Sequence, residues 1–295
     1  MYYNEQTILY LNGKFMRAVD AGIDLYSQTL HYGYGAFEGI RAYHTVHGTK
    51  IFKAWEHFER LRHSCLSVGI PFKYDTEELV QVTYRLLREN NLKDAYIRPL
   101  VYCSPNMSLT APREVYLMIA VWEWGKYLGD NLLRLCISPY QRPNPQSVKV
   151  DAKITGHYVN SILATSDAKV RGFDEALMLD MNGHVAEAPG ANFFFEKDGA
   201  LYTPPPGHIL PGITRATIIS ICRELDIPVY EKFFKPEEVF EADNAFLCGT
   251  AAEVVGVESI DAHTFRKDWK DSLGRVIQEA YKAQVLEKSF THVII

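Results

Sequence analysis

The spacing of apolar and polar residues in the first half of the chain predicts short strands and two helices. Asp75 and Glu78 are placed to form a capping box, and apolar positions from Leu79 to Leu86 recur three and four residues apart. This pattern predicts an amphipathic helix that begins after Asp75. Residues 115–122 form an unbroken apolar run of strand length, which predicts a strand buried on both faces.

The second half alternates helices with hairpins. A helix is predicted at 158–171 and ends at Gly172. Asn182-Gly183 and Asp198-Gly199 each separate two apolar segments and are typical of tight hairpin turns. Helices are also predicted at 214–225 and 273–286, and strands at 245–249 and 253–257.

A short polar segment punctuated by glycine, residues 125–131, is the best candidate for a linker. It predicts a small N-terminal domain at 1–125, a linker at 126–131 and a larger C-terminal domain at 132–295. The chain has 295 residues, of which 47% are hydrophobic and 23% charged, so each domain has enough apolar material for a core.

Charge and cysteine content exclude several function classes. The net charge of -5 provides no basic face for nucleic acid or an anionic membrane. Five scattered cysteines without a CxxC pair predict neither a disulfide framework nor a metal site. The N-terminal residues lack the pattern of a signal peptide, and no apolar run is long enough to span a bilayer. These features predict a soluble cytoplasmic protein.

Common nucleotide and hydrolase motifs are absent from the sequence. The glycines of residues 33–39 are spaced one residue too far apart for a dinucleotide fingerprint. Gly13-Lys14 is followed by phenylalanine, so it is not a P-loop, and neither HExxH nor GxSxG occurs.

Two segments are suited to anion binding. Residues 211–215, PGITR, directly precede a predicted helix, whose free N–H groups and positive dipole end favour phosphate. Residues 249–253, GTAAE, form a turn between two predicted strands, and its N–H groups are suited to phosphate or carboxylate. Taken alone, an ordinary helix cap and a connecting turn explain them equally well.

Lys153 and Glu187 are charged residues in apolar surroundings. Lys153 lies between the apolar residues Ala152 and Ile154. Partial desolvation by such neighbours lowers the pKa of an amine and makes it a better nucleophile. Glu187 lies among small and aromatic residues, where a carboxylate requires a cationic partner such as a pyridinium nitrogen. A surface lysine and an exposed strand-end glutamate are the ordinary alternatives.

In combination these segments resemble the class IV aminotransferases, which are fold-type IV pyridoxal phosphate enzymes, and among them the branched-chain amino acid aminotransferases. The resemblance runs in order through nearly the whole chain. Besides the segments above, the matching motifs lie at residues 10–13, 31–33, 37–41, 56–57, 60–61, 96–99, 124–129, 156 and 158.

The resemblance implies that the chain binds pyridoxal 5′-phosphate. Lys153 corresponds to the lysine that binds the cofactor covalently and moves a proton between Cα and C4′. Glu187 matches the carboxylate beside the pyridine nitrogen, and Tyr158 matches the tyrosine that bonds the phenolic oxygen. The phosphate is assigned to Arg60, Ile213, Thr214 and Thr250.

It also implies a substrate site. The α-carboxylate is assigned to Tyr96, which Arg98 supports, and to the turn at Thr250, Ala251 and Ala252. An aromatic pocket for the branched side chain matches Phe37, Trp124, Tyr127 and Tyr158. Tyr32 and a loop at 105–112, with Met107 or Leu109, reach over from the neighbouring subunit. The candidates for the distal carboxylate of glutamate are Arg41 and the tyrosines.

The implied fold class is α/β, with a small N-terminal α/β sandwich and a large C-terminal pseudo-barrel, as in D-amino acid aminotransferase, and the cofactor between them. A homodimer or a higher homo-oligomer built from dimers is expected. Three family positions differ here: Pro189, Ala191 and His157 replace residues that are often small, acidic and asparagine. These differences bear on the cofactor loop and on substrate preference.

The implied reaction transfers the amino group of leucine, isoleucine or valine to 2-oxoglutarate. A D-amino acid transaminase and an aminodeoxychorismate lyase share the fold and are the enzymatic alternatives. A catalytically idle pyridoxal phosphate-binding protein is the alternative from another class, and the presence of both Lys153 and Glu187 counts against it. The motifs at 37–41 and 96–98 favour the branched-chain type.

Overall fold

The computed structural model describes residues 2–125, 127–129 and 131–290. They form two compact units, each with its own sheet. The first contains the described residues up to 125 together with 152–157, and the second contains the rest. The segment 152–157, which by sequence belongs to the predicted C-terminal domain, therefore packs with the N-terminal residues. Lys126 and Asp130 of the predicted linker lie outside the described residues.

A seven-stranded antiparallel sheet is the frame of the first unit. Its strands are β1 (Ile8–Leu11), β2 (Lys14–Arg17), β3 (Gly35–Phe37), β4 (Ile40–Thr45), β5 (Gly48–Ile51), β6 (Ala95–Cys103) and β7 (Val115–Trp122). They follow the order β2-β1-β7-β6-β4-β5, and β3 pairs with β6. Because β6 pairs with β3, β4 and β7, it brings the motifs at 37–41 and 96–99 together.

Two long helices form the core of the first unit with this sheet. The two long helices are α2 (Ala54–Ser67) and α3 (Thr76–Glu89), and a short helix, α1 (Gln28–Tyr32), precedes β3. The Asp75 side chain accepts a hydrogen bond from the Glu78 N–H, which confirms the predicted cap of α3. The core includes Phe58 and Leu61 of α2 and Leu86 of α3, all of which are fully buried.

Strand β7 has the predicted bounds, but the prediction that both of its faces are buried is wrong. Val115, Leu117, Ile119 and Val121 are buried, whereas the alternate residues are only half-buried. The reason is that side chains of a strand alternate between two faces, and only one face of β7 joins the core with α2 and α3.

The second unit contains a nine-stranded mixed sheet that closes on itself. Its strands are β8 (Leu133–Ile137), β9 (Glu175–Leu179), β10 (Val185–Ala188), β11 (Ala191–Lys197), β12 (Ala200–Thr203), β13 (Val229–Glu231), β14 (Asn244–Gly249), β15 (Glu253–Ile260) and β16 (His263–Thr264). The path β10-β9-β8-β15-β14-β11 returns to β10 through a further pairing of β10 with β11. Six strands therefore form a closed ring, as the predicted pseudo-barrel requires.

Four helices accompany this ring: α4 (Tyr158–Val170), α5 (Ile213–Glu224), α6 (Pro236–Phe240) and α7 (Leu273–Val285). The predicted hairpins are confirmed between β9 and β10 and between β11 and β12. Asp198 and Gly199 both adopt positive φ, 51° and 73°, as a tight hairpin turn requires. Gly172, with φ of 83°, follows α4 as predicted.

Candidate active site

Lys153 is held by its backbone on both sides within the first unit. Its N–H donates to the Ser64 Oγ of α2 at 2.9 Å, and its carbonyl accepts from the Phe37 N–H of β3 at 3.1 Å. Its Nζ lies 4.8 Å from the centre of the Phe37 ring. The base of this side chain is therefore fixed by a helix and a strand of the first unit.

Two glycines allow the segment that carries Lys153 to approach α1. A Cβ atom on Gly33 would lie 2.6 Å from the Gly156 Cα, which is too close for any side chain. The Gly156 N–H donates to the Gly33 carbonyl at 2.8 Å, and the Thr155 hydroxyl donates to the same carbonyl. The motifs at 31–33 and 156 thus meet in space.

Arg60 and His57 bind one buried carboxylate. Arg60 Nε and Nη2 donate to the two oxygens of Glu38 at 2.6 and 2.9 Å, and His57 Nδ1 lies 2.8 Å from Glu38 Oε2. Burial alone would raise the pKa of Glu38, but the charge of Arg60 and the contact with His57 hold it well below its ordinary value. Glu38 is therefore an anion although its side chain is fully buried.

An arginine lies among aromatic rings on β6 and its neighbours. Arg98 Nη2 donates to the Tyr96 hydroxyl at 3.1 Å, and its guanidinium carbon is 4.8 Å from the Phe37 ring centre. The Tyr96 ring meets that of Trp124 edge-on, with the centroids 4.6 Å apart. A Cβ atom on Gly39 would lie 2.0 Å from the Tyr96 hydroxyl oxygen, so only glycine leaves room for it.

Arg41 bonds the backbone that leads out of β7. Its Nη1 and Nη2 donate to the carbonyls of Trp124 and Gly125 at 3.2 and 2.8 Å. This contact holds Trp124 beside Tyr96. The prediction that Arg41 recognises the distal carboxylate of glutamate stays a prediction.

Tyr32 and the loop at 105–112 lie together in the first unit. The Tyr32 hydroxyl donates to the Met107 carbonyl at 3.0 Å, and Gln28 Nε2 donates to the carbonyls on either side of Leu109. Leu109 is 86% exposed and Tyr32 is 44% exposed. The loop is therefore fixed to α1 and presents an apolar side chain to its surroundings.

In the second unit, Glu187 is buried with a cationic partner that the sequence did not identify. Arg142 Nε lies 3.0 Å from Glu187 Oε1 as an ion pair. The carboxylate also accepts from the Leu210 N–H at 3.1 Å and from Asn192 Nδ2 at 3.0 Å. A buried carboxylate beside an arginine and two N–H donors is suited to face a ring nitrogen that carries a proton.

Asn192 connects Glu187 to the start of α5. Its Nδ2 also donates to the Leu210 carbonyl at 3.0 Å. A Cβ atom on Gly212 would lie 1.9 Å from Asn192 Oδ1, so the backbone before α5 passes directly against this amide. Glu187 and the helix N-terminus are therefore linked through one side chain.

The N-terminus of α5 has the features of an anion cradle. Its N-cap, Gly212, provides no side-chain cap, so the first N–H groups of this 12-residue helix are not satisfied by that residue. Thr214, in the first turn, is 3% exposed. N–H groups at the positive end of a helix dipole favour a phosphate.

The turn at 250–252 joins β14 to β15, as predicted from the sequence. It ends at Glu253, which adopts a left-handed conformation with φ of 57° and lies 3.4 Å from Lys282 Nζ of α7. At its start, a Cβ atom on Gly249 would lie 3.2 Å from the Gly190 carbonyl. The turn is thus packed against the β10–β11 hairpin that carries Glu187.

The remaining predicted residues of the second unit lie near the same hairpin. Tyr158 is the first residue of α4, and one turn later the Ser161 hydroxyl donates to the Pro189 carbonyl at 2.8 Å. Tyr127 Cε1 lies 4.0 Å from a Cβ atom built on Gly190. Pro189 and Gly190 are the two turn residues of this hairpin.

Comparison with known proteins decides the family. The family model of the amino-transferases of class IV matches residues 35–260 of this chain. The chain belongs to the class IV aminotransferases. The "Branched-chain-amino-acid aminotransferase" of Pseudomonas aeruginosa is 39% identical over 291 residues, 97% of this chain and 95% of that protein.

Solved structures share the fold of this class IV aminotransferase. The branched-chain aminotransferase of Thermoproteus uzoniensis with norvaline is 38% identical, with a TM-score of 0.92 and 96% of each chain covered. The T.th. branched-chain amino acid aminotransferase, complexed with N-(5'-phosphopyridoxyl)-L-glutamate, is 34% identical, with a TM-score of 0.90 and coverage of 96% and 95%. The predicted fold type IV is thereby confirmed.

The donor set of this class IV aminotransferase fits pyridoxal phosphate. A helix start without a side-chain cap suits the phosphate, and the buried carboxylate of Glu187 suits the pyridine nitrogen. Among the described residues, no group of three or more histidine, cysteine and acidic side chains is arranged to hold a metal. In the same part of the chain, every helix is too short or too polar to cross a membrane.

Sequence reasoning missed the residues that hold the predicted ones in place. Glu38, Ser64, Arg142 and Asn192 all bond a predicted site residue or its backbone. Glu38 falls within the motif at 37–41, which was the only sequence signal for it. Arg142 lies in a proline-rich loop where no local pattern points to Glu187, because 45 residues separate the two in the sequence.

Proposed function

We propose that this enzyme transfers the amino group of branched-chain L-amino acids to 2-oxoglutarate with pyridoxal 5′-phosphate as cofactor. The observation that carries the proposal is the match, at 34–39% identity over 96–97% of the chain, to branched-chain aminotransferases. One of them is complexed with a phosphopyridoxyl derivative of glutamate. Such a derivative joins the cofactor to glutamate, the amino acid formed when 2-oxoglutarate accepts the amino group.

Bound pyridoxal phosphate supplies an electron sink for the amino acid's Cα. Lys153 holds the cofactor covalently and moves the proton at the substrate Cα. Glu187 keeps the pyridine nitrogen protonated, and Tyr158 bonds the phenolic oxygen. The phosphate is held by Arg60, by Ile213 and Thr214 at the start of α5, and by Thr250.

The substrate residues have separate tasks. Tyr96, with Arg98 bonded to its hydroxyl, and the turn at 250–252 orient the α-carboxylate. Orientation of this group determines which face of Cα meets Lys153. The aromatic side chains of Phe37, Trp124 and Tyr127 exclude water and accept a branched aliphatic chain.

The proposal extends to assembly and location. We propose a homodimer or a larger assembly of dimers, in which Tyr32 and Leu109 contribute to the partner's substrate site. The exposure of Leu109 on a fixed loop supports this assignment. A cytoplasmic location is supported by the five cysteines, all of them buried and none in a disulfide.

Substitution of Tyr96 by phenylalanine, or of Arg98 by alanine, is expected to raise KM for every amino acid by about tenfold. The reason is that both residues address the α-carboxylate, which all substrates share. A smaller change in kcat is expected because neither residue moves the proton. The measurement is steady-state kinetics with leucine and with glutamate. A rise in KM for only one of these substrates would contradict the shared role.

The function itself is tested by a panel of L- and D-amino acids with 2-oxoglutarate. We expect activity with leucine, isoleucine and valine and none with their D-enantiomers. Activity confined to D-alanine and D-glutamate would establish the D-amino acid alternative. Release of pyruvate from aminodeoxychorismate would establish the lyase. A yellow protein without turnover on any of these compounds would be the idle binding protein.

A further inference from the structure

Glu38, His57 and Arg60 form a buried cluster in which both Arg60 and His57 contact the Glu38 carboxylate. A phosphate-binding role of Arg60 does not by itself require these contacts. Two guanidinium nitrogens of Arg60 donate to Glu38, each to a different carboxylate oxygen. Such a fork fixes both the plane and the position of the guanidinium group. A carboxylate that only balanced its charge would not need this geometry.

Burial makes the arrangement rigid. The side chain of Glu38 is fully buried, that of His57 is 1% exposed and that of Arg60 is 11% exposed. Burial lowers the pKa of His57, so the ring is neutral at neutral pH and its Nδ1–H donates to Glu38 Oε2. The carboxylate is thus held by a neutral donor on one side and orients the guanidinium on the other.

Helix α2 connects this cluster to Lys153. His57, Arg60 and Ser64 are spaced by three and four residues and lie on one face of the helix. Ser64 accepts the Lys153 N–H, while Phe37, next to Glu38, donates to the Lys153 carbonyl. One helix face therefore sets the position of the arginine relative to the lysine.

We propose that Glu38, steadied by His57, positions the Arg60 guanidinium for the phosphate group of the cofactor. The inference rests on the proposed function and adds two positioning residues to it. An arginine side chain has several rotatable bonds, and ordering it on binding costs affinity. Because Glu38 already orders the Arg60 side chain, phosphate binding does not incur this cost.

The test compares two probes, pyridoxal phosphate and pyridoxal, which differ only in the phosphate. Affinities are measured on the apoenzyme by titration of its fluorescence. Arg60→Ala and Glu38→Gln are each expected to weaken pyridoxal phosphate binding by about tenfold or more and to leave pyridoxal binding unchanged. In the double variant, the second substitution is expected to add little, because Glu38 acts through Arg60.

A second pair of variants keeps the test valid if Glu38→Gln does not fold. His57→Asn retains a donor near the position of Nδ1, and is expected to bind both probes as the wild type does. His57→Leu removes the donor and is expected to weaken pyridoxal phosphate binding alone. Glu59→Gln is the matched control, since this carboxylate lies on the same helix but bonds the Thr76 hydroxyl.

The outcomes separate the two proposals. If Arg60→Ala weakens both probes equally, or neither, the phosphate role of Arg60 in the proposed function is wrong. If Arg60→Ala is selective for pyridoxal phosphate but Glu38→Gln and His57→Leu are not, the phosphate role stands and the positioning role is overturned. If the Glu38 and His57 variants bind pyridoxal phosphate and pyridoxal more weakly by the same factor, the cluster has a purely structural role.

Discussion

Replacement of Lys153 by alanine is expected to abolish transamination, with a fall in kcat of about 10³-fold or more. The variant loses the amine that we propose holds the cofactor and moves the proton at the substrate Cα. Its fold is expected to persist, because the backbone of Lys153 is bonded to Ser64 and Phe37 whatever the side chain is. Steady-state kinetics and the visible absorbance of the dialysed protein measure the two losses.

The covalent assignment has its own measurement. Borohydride reduction of the wild-type protein with its cofactor, followed by peptide mapping, is expected to label Lys153. Lys149→Ala is the matched control, since this lysine is exposed and lies four residues away. A label on another lysine, or normal turnover by Lys153→Ala, would refute the assignment.

Replacement of Glu187 by glutamine is expected to lower kcat by about 10² to 10³-fold, with little change in KM. A neutral amide cannot keep the pyridine nitrogen protonated, so charge that develops at Cα is less stabilised. This loss is felt in the transition state more than in the ground state. Glutamine has the size of glutamate, and its amide oxygen still accepts from either Asn192 Nδ2 or the Leu210 N–H, although its amide nitrogen accepts from neither. The cofactor is therefore expected to remain bound.

The control for this variant is Glu175→Gln. Glu175 is also buried on a strand of the second unit, but it bonds the Thr165 hydroxyl, and burial raises its pKa above the ordinary value. A neutral amide is therefore a close substitute there, and kcat is expected to be unchanged. A near-normal kcat in Glu187→Gln would refute the proposed electronic role of the Glu187 carboxylate.

Elements with strong local signals were predicted correctly from the sequence. The cap of α3 depends on Asp75 and Glu78, which are three residues apart, and the Asp198-Gly199 turn depends on two adjacent residues. These signals act over less than one helical turn, so no tertiary contact is needed to recognise them. The burial of β7 was predicted incorrectly, because burial depends on what packs against each face.

The sequence offers the proposed site residues as candidates but not the residues that hold them in place, and this division has a physical reason. Lys153 and Glu187 belong to motifs that are recognisable within a few residues. Their partners are distant in sequence: Ser64 is 89 positions from Lys153, and Leu210 is 23 positions from Glu187. Only the pairing of strands and the packing of α2 bring such residues together. No local sequence pattern encodes these long-range contacts.

The placement of residues 152–157 in the first unit has a consequence for synthesis on the ribosome. Gly33 meets Thr155, which is made 122 positions later, and Phe37 bonds Lys153. At roughly 5–20 residues per second, β3 emerges many seconds before these partners exist. The N-terminal unit therefore gains its last contacts only after part of the second unit has been translated, and the segment that completes it carries Lys153, the proposed cofactor lysine.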